Sequence, residues 1–173
     1  IDQSGSMGES IIYSSIMACI LASMGAVSTH VVAFDTQIMD LTDLCQDPVD
    51  LLFGFQMGGG TDIAKSLAYC RNFVESPTKT LFFLISDLME GGNRGGLLNH
   101  LKEMKESGVT VIVLLAVADG GRPYYDETTA KHISAMGIPC FACAPDKLPE
   151  LLERALKKQD LTEFAKQMKK DKK

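Results

Sequence analysis

Thr80-Leu81-Phe82-Phe83-Leu84-Ile85-Ser86-Asp87 is an almost unbroken apolar run that closes on a hydroxyl and a carboxylate. A strand with one wet face alternates apolar and polar residues. Continuous apolarity over six or seven residues marks a strand covered on both faces, as in the parallel sheets of α/β proteins. Residues 110–116 repeat the pattern with Thr-Val-Ile-Val-Leu-Leu-Ala. Between the two lies a glycine-rich loop, Glu90-Gly91-Gly92-Asn93-Arg94-Gly95-Gly96, and then a helical stretch that stops at Gly108. Strand, helix and strand in that order predict a crossover unit with parallel strands.

The same alternation extends outward in both directions. Upstream, residues 62–74 read as a helix entered from Gly58-Gly59-Gly60-Thr61-Asp62. Three successive glycines suggest a backbone that must approach something closely. Residues 28–35 are β-branched and apolar and predict a buried strand, with residues 37–41 pairing antiparallel after a short turn at Asp35-Thr36. Asp47-Pro48 is a helix-start signal for a short turn through Phe53. Residues 9–24 predict an apolar helix that stops at Gly25. Downstream, helices are expected at 126–136, 147–157 and 161–168, a short strand at 139–142, and a loop at 119–125 holding Gly120-Gly121 and Pro123. The expectation is a three-layer, doubly wound α/β domain, its sheet mostly parallel with one antiparallel edge strand, over residues 1–157. A basic helical tail follows at 158–173.

Composition limits the function classes. The 173 residues are 46% hydrophobic and 23% charged, with a net charge of −5, which is ordinary for one globular domain and unlike a nucleic-acid-binding surface. Residues 157–173 hold seven lysines against three acids, so the body is acidic and the tail basic. No stretch reaches the roughly 18 apolar residues of a membrane span, and the start lacks the features of a signal peptide. Five cysteines, mostly within apolar segments, suggest reduced thiols and a cytoplasmic protein. Cys140 and Cys143 form a CxxC, yet a strand would place them on opposite faces, so they are read as core thiols rather than a redox pair.

At the amino end, Ile1-Asp2-Gln3-Ser4-Gly5-Ser6-Met7 sets oxygen-bearing side chains at every second position. Alone, this is either a helix-capping turn or a loop for a hard cation. In an open parallel sheet, ligands bind beyond the carboxyl ends of the strands. Asp2, Ser4 and Ser6 follow one strand end there, Asp87 closes another, and Thr61 opens a helix. Two carboxylates and three hydroxyls on one rim repel each other without a cation; with Mg²⁺ (or Mn²⁺) the donor set is coherent.

Asp-x-Ser-x-Ser, a distant Thr and a distant strand-ending Asp resemble the metal-ion-dependent adhesion site of von Willebrand factor type A (vWA) domains. Gly59-Gly60-Thr61-Asp62 and Ile85-Ser86-Asp87 are similar to the family around those positions. Within it, the sequence resembles bacterial CoxE-like vWA proteins, often found beside MoxR-type AAA+ ATPases, some of them implicated in metal-cofactor assembly. The resemblance implies direct ligation by Ser4 and Ser6, direct or water-mediated ligation by Thr61, and mostly water-mediated contacts for Asp2 and Asp87. It implies a last coordination position taken by a partner's carboxylate.

The expected function is therefore a metal-dependent protein-binding module, not an enzyme, with no catalytic residues and no nucleic-acid or membrane partner. The competing expectation is a metal-dependent hydrolase or phosphoryl-transfer enzyme using Asp2 and Asp87, and a third is a domain with no ion. Met7 and Met89 are expected beside the site, where they contact a partner. The family's central strand precedes the Asp-x-Ser-x-Ser motif, and here only Ile1 represents it. A gap of about two strand spacings, roughly 10 Å, is therefore expected beside residues 28–35 and 80–86, along with weak metal binding and poor folding of the isolated piece.

Overall fold

In the computed structural model the described residues are 1–8, 10–25, 27–44, 58–117 and 124–170, the side chains of 169 and 170 excepted. The helix start at Glu9, the turn expected from Asp47-Pro48 and the Gly120-Gly121 loop with Pro123 lie outside them, as do Cys45 and Met57.

The two apolar runs form β3 (Leu81–Ser86) and β4 (Thr110–Leu115), which pair in parallel from Leu81↔Thr110 to Ser86↔Leu115. A short β5 (Cys140–Phe141) adds in parallel on the far side of β4. The antiparallel pair is β1 (Val32–Phe34) with β2 (Ile38–Asp40). Residues 1–3 join the two sheets. Asp2 N–H donates to Ile85 O on β3 (2.9 Å), while Gln3 N–H donates to Phe34 O (2.8 Å) and Phe34 N–H to Ile1 O (3.0 Å) on β1. Asp2 and Phe34 form a parallel bridge.

β1 and β3 border a cleft of about 430 Å³ lined by Ile1, Val32, Leu81, Phe83 and Cys70. The sheet runs β2, β1, residues 1–3, β3, β4, β5.

Among the described residues, six helices cover the sheet. They are α1 (Ile11–Ala22), α2 (Ile63–Cys70), α3 (Arg94–Glu106), α4 (Glu127–Ala135), α5 (Leu148–Leu156) and α6 (Thr162–Lys170). Because side chains alternate along a strand, β3, β4 and β5 build a core on each of their faces. Leu84, Val111, Val113, Leu115 and Cys140 pack with α2, α3 and α4. Ile85, Ile112, Leu114, Phe141 and Cys143 pack with α1, α5 and α6. Cys140 and Cys143 are thus buried on opposite faces. The basic end is also packed: Leu161, Phe164 and Met168 are buried in the second core, and the Phe164 ring meets Phe141 edge-on at 5.8 Å.

The observed elements are shorter than the sequence pattern suggests. The strand expected over 28–35 is three residues long, and His30, outside it, stacks on Phe73 (4.4 Å). The helix expected over 62–74 tightens into a 3₁₀ turn at Arg71–Phe73.

Candidate metal centre

Each expected site residue sits at the carboxyl end of the sheet on a backbone tied to its neighbours. After Asp2 the chain leaves the strand and turns through a 3₁₀ segment, Gly5–Met7. Asp2 is fully buried, and its Oδ1 accepts from Ser4 N–H (3.0 Å) and from Ser4 Oγ (2.6 Å). Ser4 Oγ lies 3.3 Å from Ser6 Oγ. The three residues of the Asp-x-Ser-x-Ser pattern therefore converge. Met7, in contrast, is fully buried, so the expectation that it contacts a partner is overturned: the 3₁₀ turn points it into the core. Met89 is half-buried.

The second oxygen of Asp2 is held by a residue that the sequence did not single out. Ser86 Oγ donates to Asp2 Oδ2 (2.6 Å) and accepts from Leu88 N–H (2.9 Å). The signal was a hydroxyl in the last position of an apolar strand, where a buried polar group needs a partner. Burial pushes the Asp2 carboxyl up from its ordinary range, against the hydrogen bonds from Ser4 and Ser86, and the nearby Asp87 charge adds to the rise. The two carboxylates are thus near enough to feel each other.

Asp87 is fully buried as well. Its Oδ1 accepts from Met89 N–H (2.9 Å), while its Oδ2 is buried with no hydrogen-bond partner among the described residues. Leu88, next in line, is held at φ +61°, a left-handed conformation that costs a non-glycine residue about 1–2 kcal/mol. That turn takes the chain from Asp87 back across the rim to Glu90.

Thr61 is 8% exposed, and its loop is fastened on two sides. Gly5 N–H donates to Gly59 O (3.0 Å), joining the glycine loop to the Ser4–Ser6 loop. Gly91 N–H donates to Thr61 O (3.1 Å), joining it to the loop after Asp87. Asp35 secures the glycine loop through Gly59 N–H (3.1 Å). The close approach expected of the three glycines is real at Gly59, where an added Cβ would lie 2.8 Å from Asp35 Oδ2, but not at Gly58, where it would meet open space.

The donor set fits a hard divalent ion. Hydroxyls of Ser4, Ser6 and Thr61 and an unengaged Asp87 oxygen are oxygen donors only, the chemistry Mg²⁺ and Mn²⁺ prefer. Asp2, with three donors already on it, is placed to polarise Ser4 and Ser86 rather than to ligate directly. Amides of the glycine-rich loop after Asp87 are engaged within the protein. Gly91 N–H goes to Thr61 O, Gly92 N–H to Glu90 Oε1 (2.7 Å) and Gly96 N–H to Asn93 Oδ1 (2.8 Å).

Comparison with known proteins agrees with this fold. The family model described as "VWA domain containing CoxE-like protein" matches residues 1–152. The chain belongs to the CoxE-like vWA family. Within curated proteins it is 40% identical over 156 residues to the uncharacterized protein YehP of Escherichia coli (strain K12). The match covers 90% of this chain but only 41% of that protein.

Among solved structures, a conserved hypothetical protein, BatB, from Bacteroides thetaiotaomicron superposes with a TM-score of 0.65 at 14% identity, over 90% of this chain and 94% of that one. An aerotolerance-related membrane protein from Bacteroides fragilis NCTC 9343 gives 0.63 at 14% identity, over 91% and 96%. Manganese-loaded TRAP protein from Plasmodium vivax gives 0.54 at 13% identity, over 79% and 70%. At these identities the structures share the fold with the CoxE-like chain. Among the described residues no helix is long and apolar enough to cross a membrane.

Proposed function

We propose that this chain is a divalent-cation-dependent protein-binding domain. Ser4, Ser6 and Thr61 would hold Mg²⁺ or Mn²⁺ with Asp87, Asp2 would act from behind through Ser4, and an Asp or Glu side chain of a protein partner would complete the coordination. The ion supplies a positive centre that a partner's carboxylate neutralises. The protein's own residues do the remainder: they fix the hydroxyls and keep two like charges together. The single observation that carries the reading is Asp87 Oδ2, a buried oxygen without a hydrogen bond among the described residues, beside a second buried carboxylate that its charge perturbs. An oxygen so placed costs free energy unless something cationic meets it. The manganese-loaded state of a protein with the same fold supports the choice of ion. A MoxR-type ATPase is the partner system that the family resemblance favours, in a cytoplasmic setting.

The test is calorimetric titration of the chain with MnCl₂ and MgCl₂, repeated on Asp87→Ala and Ser4→Ala. Saturable 1:1 binding by the wild type, weakened at least about tenfold in both variants, is expected. Equal affinity in all three, or no binding by the wild type, overturns the proposal. Metal-dependent phosphatase turnover by the wild type would replace it with the enzyme reading.

A further inference from the structure

We propose that Glu90 is the positioning residue of the cation site, a carboxylate that sets the spacing of Thr61 and Asp87 by clamping the first turn of α2 to the loop leaving β3. This rests on the cation-binding reading and adds to it the device that holds two of its ligands in register.

The opening of a helix presents four backbone N–H groups with no partner inside the helix. In α2, which begins two residues after Thr61, one of the four is met within the cap and one from the end of β1. Lys65 N–H donates to Asp62 Oδ1 (2.9 Å) and Asp62 N–H to Asp35 O (3.0 Å). The other two are met from a different element. Ile63 N–H and Ala64 N–H both donate to Glu90 Oε2, at 2.8 and 3.1 Å. Glu90 Oε1 accepts Gly92 N–H (2.7 Å), so the carboxylate spans the helix and its own loop.

Three hydrogen bonds to one ionised group are stronger than three between neutral groups, and the positive end of α2 favours the charge. A second strut lies beside the clamp, Gly91 N–H to Thr61 O (3.1 Å). Thr61 stands two residues before one end of the clamp and Asp87 three residues before the other. Their separation cannot change without breaking it.

Asp87 is secured independently, since Asp87 O accepts Asp126 N–H (2.8 Å) from the start of α4. Thr61 is held by its own bond to Gly91, by Asp62 N–H to Asp35 O (3.0 Å) and, through the first turn of α2, by Glu90, whose carboxylate ties that turn to the loop after Asp87. Octahedral Mg²⁺ tolerates little variation in its ligand distances, so a loosened Thr61 costs affinity. Glu90 is not offered as a ligand, because both of its oxygens are engaged by backbone donors.

The experiment titrates wild type, Glu90→Ala and Glu90→Gln with MnCl₂ by calorimetry. Melting temperatures without metal and amide exchange at Ile63, Ala64 and Gly92 are measured in parallel. Glu103→Ala, which removes an exposed carboxylate paired with Arg71 on the far end of α3, is the control. Glu90→Ala is expected to weaken Mn²⁺ binding about 10- to 100-fold, the range seen when groups that orient metal ligands are lost, with faster exchange at Ile63 and Ala64. Glu90→Gln, which keeps one carbonyl oxygen, is expected to fall between it and wild type, and Glu103→Ala to match wild type.

Faster exchange with unchanged Mn²⁺ affinity overturns the proposal, because the clamp would be open and the site indifferent. Should Glu90→Ala fail to fold, the same criterion applies to Glu90→Gln. Absence of binding by wild type is a separate result, which overturns the cation reading and this role with it.

Discussion

Gly91→Ala is the substitution whose effect follows most directly from the structure. A Cβ at Gly91 would stand 2.9 Å from Thr61 O and 3.5 Å from Thr61 N, where ordinary contact begins at 3.4 Å. The obstacle is backbone, and it is backbone to which Gly91 is itself hydrogen-bonded. The two loops must separate by about half an ångström, stretching the bond that joins them. Overpacking of this kind costs about 1–3 kcal/mol, and loss of the hydrogen bond adds about 0.5–1.5 kcal/mol. Against these, Gly→Ala stiffens the unfolded chain and returns about 0.4–1 kcal/mol. The sum is a destabilisation of about 0.5–4 kcal/mol, centred near 2.

Gly58→Ala supplies the contrast, since nothing lies within 4 Å of the added carbon; only the unfolded-state term acts, and stability rises by about 0.4–1 kcal/mol. Urea unfolding of both variants, with the slope unchanged from wild type, measures each value. The Mn²⁺ titration on Gly91→Ala then reads whether the displaced Thr61 weakens binding. Gly91→Ala at or above wild-type stability would refute the reasoning, as would Gly58→Ala losing as much as Gly91→Ala.

Two further predictions concern the elements that frame the site. Burial pushes the Asp126 carboxyl up, but hydrogen bonds from Thr129 and Thr128 and the Arg94 charge outweigh it, leaving it below the usual range. A folded-state value below the unfolded one means stability that is present above about pH 4 and lost as pH falls through the folded value. Asp126→Asn keeps a capping oxygen but not the charge, so its stability at pH 7 falls by up to about 1 kcal/mol. Urea midpoints taken at pH 7 and pH 3 should then differ less than in wild type; an unchanged difference counts against the assignment. Phe164→Ala tests whether α6 is part of the core, since Phe164 is fully buried between Phe141 (5.8 Å) and the Arg154 guanidinium (5.5 Å). A loss of about 3–5 kcal/mol in the urea transition is expected, and a loss under 1 kcal/mol would show α6 to be a detachable tail.

Why the fold was legible and parts of the site were not has a physical cause. Residues 81–86 and 110–115 are apolar on both faces, and continuous apolarity at strand length has few other solutions, so order, direction and burial could all be read from it. The Asp-x-Ser-x-Ser loop was legible because its period of two sets three oxygens close together by local geometry alone. The CxxC was legible for the same reason, since strand alternation sends Cys140 and Cys143 into different cores.

Ser86 and Glu90 act across 84 and 26–27 residues of chain, and no local period announces such a partner. Each nevertheless left a trace in its own segment. A hydroxyl at the end of an apolar strand must be bonded to something, and a carboxylate followed by two glycines can reach backbone amides that a bulkier loop would shield. Met7 was misread for the opposite reason. Its place beside the ligand loop suggested exposure, but a 3₁₀ turn rotates successive side chains by about a third of a turn, which sets Ser6 outward and Met7 inward on neighbouring residues. Proximity in sequence to a functional loop therefore says little about which way a side chain faces, until the turn that carries it is known.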